Sequence, residues 1–156
     1  MIAVSNTSPL ILLDKARHLW ILGRLFSKVI IPPFVDKEWL RPGGYVVPDW
    51  LSVKSLSPEA ESDAEKLHQD MDEGEAEAIA LFRVMKADLL LLDDLKARRY
   101  AKSLGLPVAG TTGLLITAKQ KGIIPEIKPV LDSLKKHKFY LSDEVLKKAL
   151  IMANES

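Results

Sequence analysis

The sequence predicts a three-layer α/β/α domain with a mainly parallel central sheet. Candidate strands alternate with candidate helices along all 156 residues, and the clearest strands are continuous apolar runs. Strands of a parallel sheet are covered by helices on both faces, so they lose the alternation of apolar and polar residues. The length fits one domain. We therefore expect a single domain over 1–156, with a Lys-rich helical C-terminal extension at about 126–156.

Each element of this alternation has its own local signal. The apolar or β-branched segments predict strands at 2–5, 28–31, 51–56, 88–93 and 106–109. Proline after a capping residue opens helices at Ser8-Pro9, with Thr7 or Ser8 as cap, and at Ser57-Pro58. Further helices are predicted at 18–26, 32–40, 75–86, 94–104, 126–137 and 142–153, with one more after the 110–113 turn. The segment 41–49, which holds two Gly and two Pro, is predicted to be a loop.

Composition excludes several kinds of chemistry. The chain has no Cys, which rules out disulfides, thiolate catalysis and Cys-ligated metals. Its three His, at positions 18, 68 and 137, are too widely spaced in the sequence for a zinc motif. No segment approaches the roughly 18 apolar residues of a membrane span, and the N-terminus lacks the basic region of a signal peptide. We therefore expect a cytoplasmic protein whose chemistry depends on carboxylates.

The charge is balanced overall at +1 but unevenly distributed. Segment 59–77 holds nine acids and one base, whereas segment 119–148 holds eight Lys and four acids. Two interpretations stay open at this point. Both segments could be solvated faces, or an acidic site could lie beside a basic surface that binds a phosphate backbone.

Polar residues follow the predicted strands at the edge of the sheet where α/β proteins bind ligands. Asn6 follows the first strand, and Asp93 and Asp94 follow the 88–93 strand. Glu38 and Glu75 lie near the start of helices that leave the same edge. The topology therefore gathers these five residues around one crevice. Each acid taken alone could equally be a helix cap or a partner of the helix dipole.

Several carboxylates in one crevice repel one another, and this repulsion must be offset. Two carboxylates ~4 Å apart repel by roughly 4 kcal/mol at an effective dielectric near 20. A divalent cation removes this cost, and oxygen-only ligands suit Mg²⁺ or Mn²⁺. Helical periodicity does not decide whether Glu75 or Glu77 faces inward, because both share a stripe with apolar residues.

Five segments of the sequence together resemble the PIN domain superfamily, and in particular its branch of small prokaryotic nucleic-acid-binding proteins. These segments are VSNTSPLI at 4–11, IPP at 31–33 with Glu38, GEAEAIA at 74–80, LLDD at 91–94 and GTTGLL at 110–115. The resemblance implies a metal-dependent ribonuclease with a parallel sheet, and many members are toxins of toxin–antitoxin pairs.

The resemblance also implies roles for individual residues. Glu38, Glu75 and Asp93 would be catalytic, and together with Asn6 and Asp94 they would bind the metal. The family usually has Asp where this chain has Asn6, and an amide brings no charge. The remaining expectations concern substrate contacts, namely Ser8 (the family hydroxyl falls at Thr7 or Ser8), Lys96, Arg98, Arg99 and Thr111.

The sequence thus predicts a divalent-metal-dependent endoribonuclease, with RNA as substrate and an antitoxin as the expected partner if the chain is a toxin. Apolar faces on the first two and the C-terminal helices favour a homodimer. The alternative is a catalytically weak or inactive PIN-like module that binds RNA or protein, because Asn6 replaces the usual Asp.

Overall fold

The computed structural model describes residues 1–155, in which five strands form one parallel sheet. The strands are β1 (Ile2–Ser5), β2 (Lys28–Ile31), β3 (Leu51–Val53), β4 (Leu89–Leu91) and β5 (Val108–Ala109). Their spatial order is β3-β2-β1-β4-β5. The predicted α/β/α class with a parallel sheet is therefore confirmed. Ser156, the last residue of the predicted domain and of its extension, lies outside the described residues.

Helices occupy the connections between the strands and the C-terminal segment. Within residues 1–155 these are α1 (Thr7–Lys15), α2 (Trp20–Leu25), α3 (Pro33–Val35), a π-helical segment (Asp36–Leu40), α4 (Arg41–Gly43), α5 (Pro58–Leu67), α6 (Glu73–Met85), α7 (Leu95–Ser103), α8 (Thr111–Gln120), α9 (Lys128–Lys135) and α10 (Asp143–Met152). None of the helices in this range is long and apolar enough to span a bilayer.

The order of the strands places the switch point of the sheet between β1 and β4. From the central β1 the chain moves outward through β2 to β3, and then returns to the other side for β4 and β5. In open α/β sheets the ligand crevice forms where the strand order reverses, beyond the carboxyl ends of the strands. The residues that follow β1 and β4 are therefore those that border the crevice.

Burial on both faces explains why these strands are continuous apolar runs. Val4, Ile30 and Leu90 belong to a core cluster on one face of the sheet, with α5, α6 and α7. Ala3 and Leu91 belong to the cluster on the other face, with α1, α2, α8 and α9. Successive residues of a strand point to opposite faces, so each strand contributes apolar side chains to both cores.

The C-terminal helices share the second of these cores. Val130, Leu131 and Leu134 of α9 and Ala149 of α10 are buried in it, and α10 contacts α8. The Lys residues of this segment lie mostly on its exposed side. The predicted extension is thus packed on the sheet's helical layer over its described part.

Two local predictions need correction. Helix α1 begins at Thr7 with Asn6 as its N-cap residue, whereas the sequence predicted Thr7 or Ser8 as cap. The Asn6 side chain makes no capping hydrogen bond, which leaves it directed toward the rim of the sheet. The segment predicted as a loop at 41–49 begins with the short helix α4.

The buried position of β4 yields a stability prediction. Leu91 is 0% exposed, so Leu91→Ala should leave a cavity and lower the free energy of unfolding by about 2–5 kcal/mol in urea denaturation. Val46→Ala is the matched control, because Val46 is 94% exposed and its loss should cost less than about 0.5 kcal/mol. Similar losses for the two variants would contradict the assigned core.

Candidate active site

We call the polar side chains at the carboxyl edge of the sheet, namely Asn6, Glu38, Glu75 and Asp93, the rim. Asn6 directly follows β1 in this rim. It is 8% exposed, and its backbone N–H donates to the Leu91 carbonyl at 3.1 Å, which extends the pairing of β1 with β4. Its Oδ1 faces the first turn of α6, where a Cβ on Gly74 would come within 2.7 Å. Glycine at position 74 therefore permits the close approach that places Glu75 beside Asn6 in the rim.

Glu38 reaches the same rim through a hydrogen bond with Thr7. The buried Thr7 hydroxyl donates to Glu38 Oε2 at 2.6 Å, although the two residues are 31 positions apart. Glu38 is carried by the π-helical segment, a conformation that occurs frequently at functional sites. Of the two hydroxyls considered from the sequence, Thr7 faces the site, whereas Ser8 is exposed.

Glu75 is a buried carboxyl group with two further carboxylates, Asp72 and Asp94, nearby. It is 8% exposed, and burial is the main reason that its pKa rises to about 8. A side-chain hydrogen bond to Asp72 and the negative charges of Asp72 and Asp94 raise the pKa further, whereas the nearby Lys96 ammonium lowers it. At neutral pH the metal-free protein therefore holds a proton on Glu75.

The two aspartates beside Glu75 are helix caps. Asp72 Oδ1 accepts from the Glu75 N–H at 2.9 Å and caps α6, and Asp94 Oδ2 accepts from the Ala97 N–H at 2.9 Å and caps α7. Each cap uses one carboxylate oxygen. Asp94, predicted as a metal ligand, therefore uses one oxygen to hold the start of α7, and its negative charge raises the pKa of Glu75.

The Asp93 side chain is fixed by hydrogen bonds from Thr111, the first residue of α8. Its Oδ1 accepts from the Thr111 N–H and its Oδ2 from the Thr111 hydroxyl, both at 2.7 Å. Arg98 Nη1 donates to the carbonyls of Asp93 at 2.8 Å and Leu92 at 3.3 Å. A Cβ on Gly110 would lie 2.4 Å from Arg98 Nη1, so a larger residue there would displace the guanidinium from its present position.

These contacts change the predicted role of Thr111 and give Arg98 a structural role through one of its nitrogens. Thr111 is 0% exposed with its hydroxyl bonded to Asp93, so it positions Asp93 instead of presenting a group to substrate. Arg98 braces the end of β4 through Nη1 and is half-buried. Ser8, Lys96 and Arg99 are exposed, as a substrate-contacting role requires.

The choice between Glu75 and Glu77 is resolved by their partners. Glu75 faces Asp72 and Asp94, whereas Glu77 Oε1 accepts from the Phe34 N–H at 3.0 Å near the start of α3. Burial raises the pKa of Glu77, and the Phe34 N–H opposes that rise. Glu77 therefore connects α6 to α3, and Glu75 is the acid at the rim.

The rim brings the predicted residues together along one edge but gives each catalytic candidate its own partner. Glu38 bonds to Thr7, Glu75 to Asp72 and Asp93 to Thr111. Within residues 1–155 no three acidic or histidine side chains are already grouped to hold an ion.

The chemistry of the donor set nevertheless fits a hard divalent cation. All donors are oxygens, and Glu75 is crowded by two acids whose repulsion a cation would relieve. The residues available as ligands are Asn6, Glu38, Glu75 and Asp93, whereas Asp94, also predicted as a ligand, uses one of its two oxygens to cap α7.

Asp72 is the site residue that sequence reasoning missed. Its signal was present, because Asp72 and Glu75 are spaced as an N-cap and the third helical residue, which is the spacing of a capping box. That spacing places the two carboxyl groups on the same turn. The consequence for Glu75 is visible only in the structure, where Asp94 approaches from another helix.

The fold and the rim define a parallel α/β protein with an acidic crevice at the carboxyl edge of its sheet. A family model described as PIN domain matches residues 2–155, so the chain belongs to the PIN domain family. PIN domains are generally nucleases and typically use divalent metal ions. A search of curated proteins finds no significant match.

The protonation of Glu75 predicts a pH-dependent stability in the presence of a chelator. Between pH 4.5 and about 8 the unfolded chain loses a proton that the folded protein keeps, so stability falls as pH rises. The slope for one proton is limited to about 1.4 kcal/mol per pH unit.

Glu75→Gln should make stability nearly independent of pH in this range. The variant should also melt at a higher temperature than the wild type at pH 8, because its amide cannot ionise. Thermal melts across pH 4–9 measure both effects. Glu73→Gln, an exposed acid in the same helical turn, should follow the wild type. Parallel curves for wild type and Glu75→Gln would refute the assignment.

Proposed function

We propose that the chain is a divalent-metal-dependent endoribonuclease. The observation that carries this proposal is the PIN fold, in which Asn6, Glu38, Glu75 and Asp93 follow or border the carboxyl ends of β1 and β4. Cationic side chains border the rim on α7, where Lys96 and Arg99 are exposed. A crevice with acids at its centre and cations at its margin suits a phosphodiester backbone, whose phosphates need both positive contacts and a hydrolytic centre.

Asn6, Glu38, Glu75 and Asp93 would hold Mg²⁺ or Mn²⁺. The bound cation would supply positive charge for a phosphoryl oxygen and acidify a water molecule. Glu75 must release its proton to act as a ligand, and Lys96 favours that release because its ammonium stabilises the carboxylate. Thr111 fixes the orientation of Asp93 by donating to both of its oxygens. Thr7 similarly fixes Glu38 near Asn6.

The same proposal includes partners. Such a nuclease would act in the cytoplasm as the toxin of a toxin–antitoxin pair, with an antitoxin as its binding partner. Exposed apolar side chains on α10, namely Val145, Ile151 and Met152, support a protein contact there. A homodimer is the expected assembly of the free protein.

A second candidate function is RNA binding without cleavage. It is favoured by Asn6, which supplies an uncharged ligand, and by the separate hydrogen bonds that occupy Glu38 and Asp93. An ion would have to replace these bonds and the Glu75 proton at once. The two candidates differ in a single measurable property, which is cleavage of RNA that the protein binds.

A cleavage assay on fluorogenic single-stranded RNA tests the nuclease. With Mn²⁺ or Mg²⁺ the wild type should cut the substrate, and Glu75→Gln and Asp93→Asn should each lower kcat/KM by about 100-fold or more because each removes a charged ligand. Glu73→Gln and Asp70→Asn, exposed acids outside the rim, are the matched controls and should keep full activity. Cleavage that persists in EDTA or in both rim variants would reject the proposal.

Asn6→Asp separates the two candidate functions. Restoring a carboxylate beside Gly74 should increase cleavage by about tenfold or more and enlarge the rise in melting temperature caused by Mn²⁺, because an anionic ligand binds the ion more tightly. Both readouts are compared with the wild type at equal Mn²⁺. A wild type that binds RNA without cutting it, together with a variant that cuts, would establish the binding function for the natural chain.

A further inference from the structure

A cavity of about 500 Å³ begins at Asp93 and leads away from the acidic rim. It lies between α7, the turn that joins β5 to α8, and the segment that precedes α10. The size is within the range of small-ligand sites, roughly 300–1,000 Å³. One end of this cavity is therefore continuous with the proposed catalytic rim, and the other end is formed by a distant part of the chain.

The α7 wall of the cavity is cationic. Arg98 and Lys102 lie one helical turn apart on α7, and both line the cavity. Within residues 1–155 neither side chain forms an ion pair, and the hydrogen bonds of Arg98 use only its Nη1 atom. The wall thus presents two positive charges that form no salt bridge with an acid of the described chain, which suits an anionic ligand such as a phosphate.

The opposite wall is aromatic. Phe139 and Tyr140 line the cavity from the segment before α10, and Tyr140 is 78% exposed. Phe139 is anchored by packing against the core that includes α9 and α10. The Tyr140 ring is therefore available to stack on a flat ligand, as aromatic side chains do with the bases of single-stranded nucleic acids.

A third observation concerns an unsatisfied hydroxyl. Thr112 lines the same cavity, and its Oγ1 is buried without a hydrogen-bond partner within residues 1–155. Buried polar atoms in native proteins are nearly always paired, so this hydroxyl is open to a partner supplied from the cavity. A sugar hydroxyl or a phosphate oxygen is a suitable partner.

We propose that this cavity binds one nucleotide of single-stranded RNA next to the cleavage site. Its base stacks on Tyr140, its phosphate contacts Arg98 and Lys102, and the strand continues toward Asp93. This inference rests on the proposed function, in which the rim residues cleave RNA. An apolar peptide would leave both cations unpaired, and a free anion would not use the aromatic wall, so the mixed lining favours a nucleotide.

Fluorescence anisotropy with a labelled ten-nucleotide single-stranded RNA tests this proposal, with EDTA present to prevent cleavage. Tyr140→Ala should weaken binding by about tenfold because stacking is lost, whereas Tyr140→Phe keeps the ring and should bind like the wild type. Lys102→Gln should weaken binding several-fold and reduce the salt dependence by about 0.7 in logarithmic slope, the value for one phosphate contact. Trp20→Ala and Lys136→Gln, exposed residues outside the cavity, are the matched controls.

The outcomes separate this inference from the nuclease proposal. If the wild type binds and cuts RNA but Tyr140→Ala and Lys102→Gln bind normally, the cavity proposal fails and the nuclease proposal stands. If the wild type does not bind RNA at all, both fail. If Tyr140→Ala leaves RNA affinity unchanged and reduces self-association in sedimentation, the cavity is a protein interface and the nucleotide proposal is overturned. Melting curves of all variants exclude misfolding as a cause.

Discussion

The pairing of β1 with β4 brings Asn6 and Asp93, the two site residues that follow strands, to the same edge of the sheet. The two strands run parallel with Ser5 opposite Leu91, and the Asn6 N–H continues the ladder to the Leu91 carbonyl. Neighbouring strands are about 4.8 Å apart, so the residues that follow them are neighbours by necessity. Because both faces of the sheet are buried in apolar cores, the polar side chains that follow β1 and β4 lie at its edge and not on a face. Asn6 and Asp93 are therefore held at the rim by backbone pairing.

The parts of the fold that were predictable are those with a strong local cause. A run of leucines bounded by Asp88 and Asp93 has few alternatives to a buried strand, and Ser57 before proline caps α5 as expected. Gly105 follows α7 with φ +76°, which only glycine adopts without strain. The start of α1 was misplaced because Asn6 belongs to two elements, ending β1 and beginning the helix. Helix and strand propensities do not indicate when one residue ends a strand and also begins a helix.

The internal arrangement of the site was not predictable, because it depends on contacts between distant segments. Topology indicated which edge collects the acids, but it did not indicate that Thr7 would bind Glu38 or that Thr111 would bind Asp93. The aromatic wall of the cavity is a similar case. Tyr140 lies about forty residues from Arg98 in the sequence, so no local pattern of basic and aromatic residues predicts that the two line one cavity. Only the packing of the C-terminal helices onto the core creates it.

The amide of Asn6 and the proton on Glu75, which burial favours most and nearby carboxylates favour further, both limit the negative charge at the rim. Asp72 and Asp94 are fixed at the rim because each caps a helix, and both make ionisation of Glu75 unfavourable. An aspartate at position 6 would place a further negative charge against Gly74, the residue that precedes Glu75 in α6. The amide avoids that repulsion in the metal-free protein. An amide would also attract a cation less strongly than a carboxylate, so stability without metal and the proposed affinity for metal would depend on residue 6 in opposite directions.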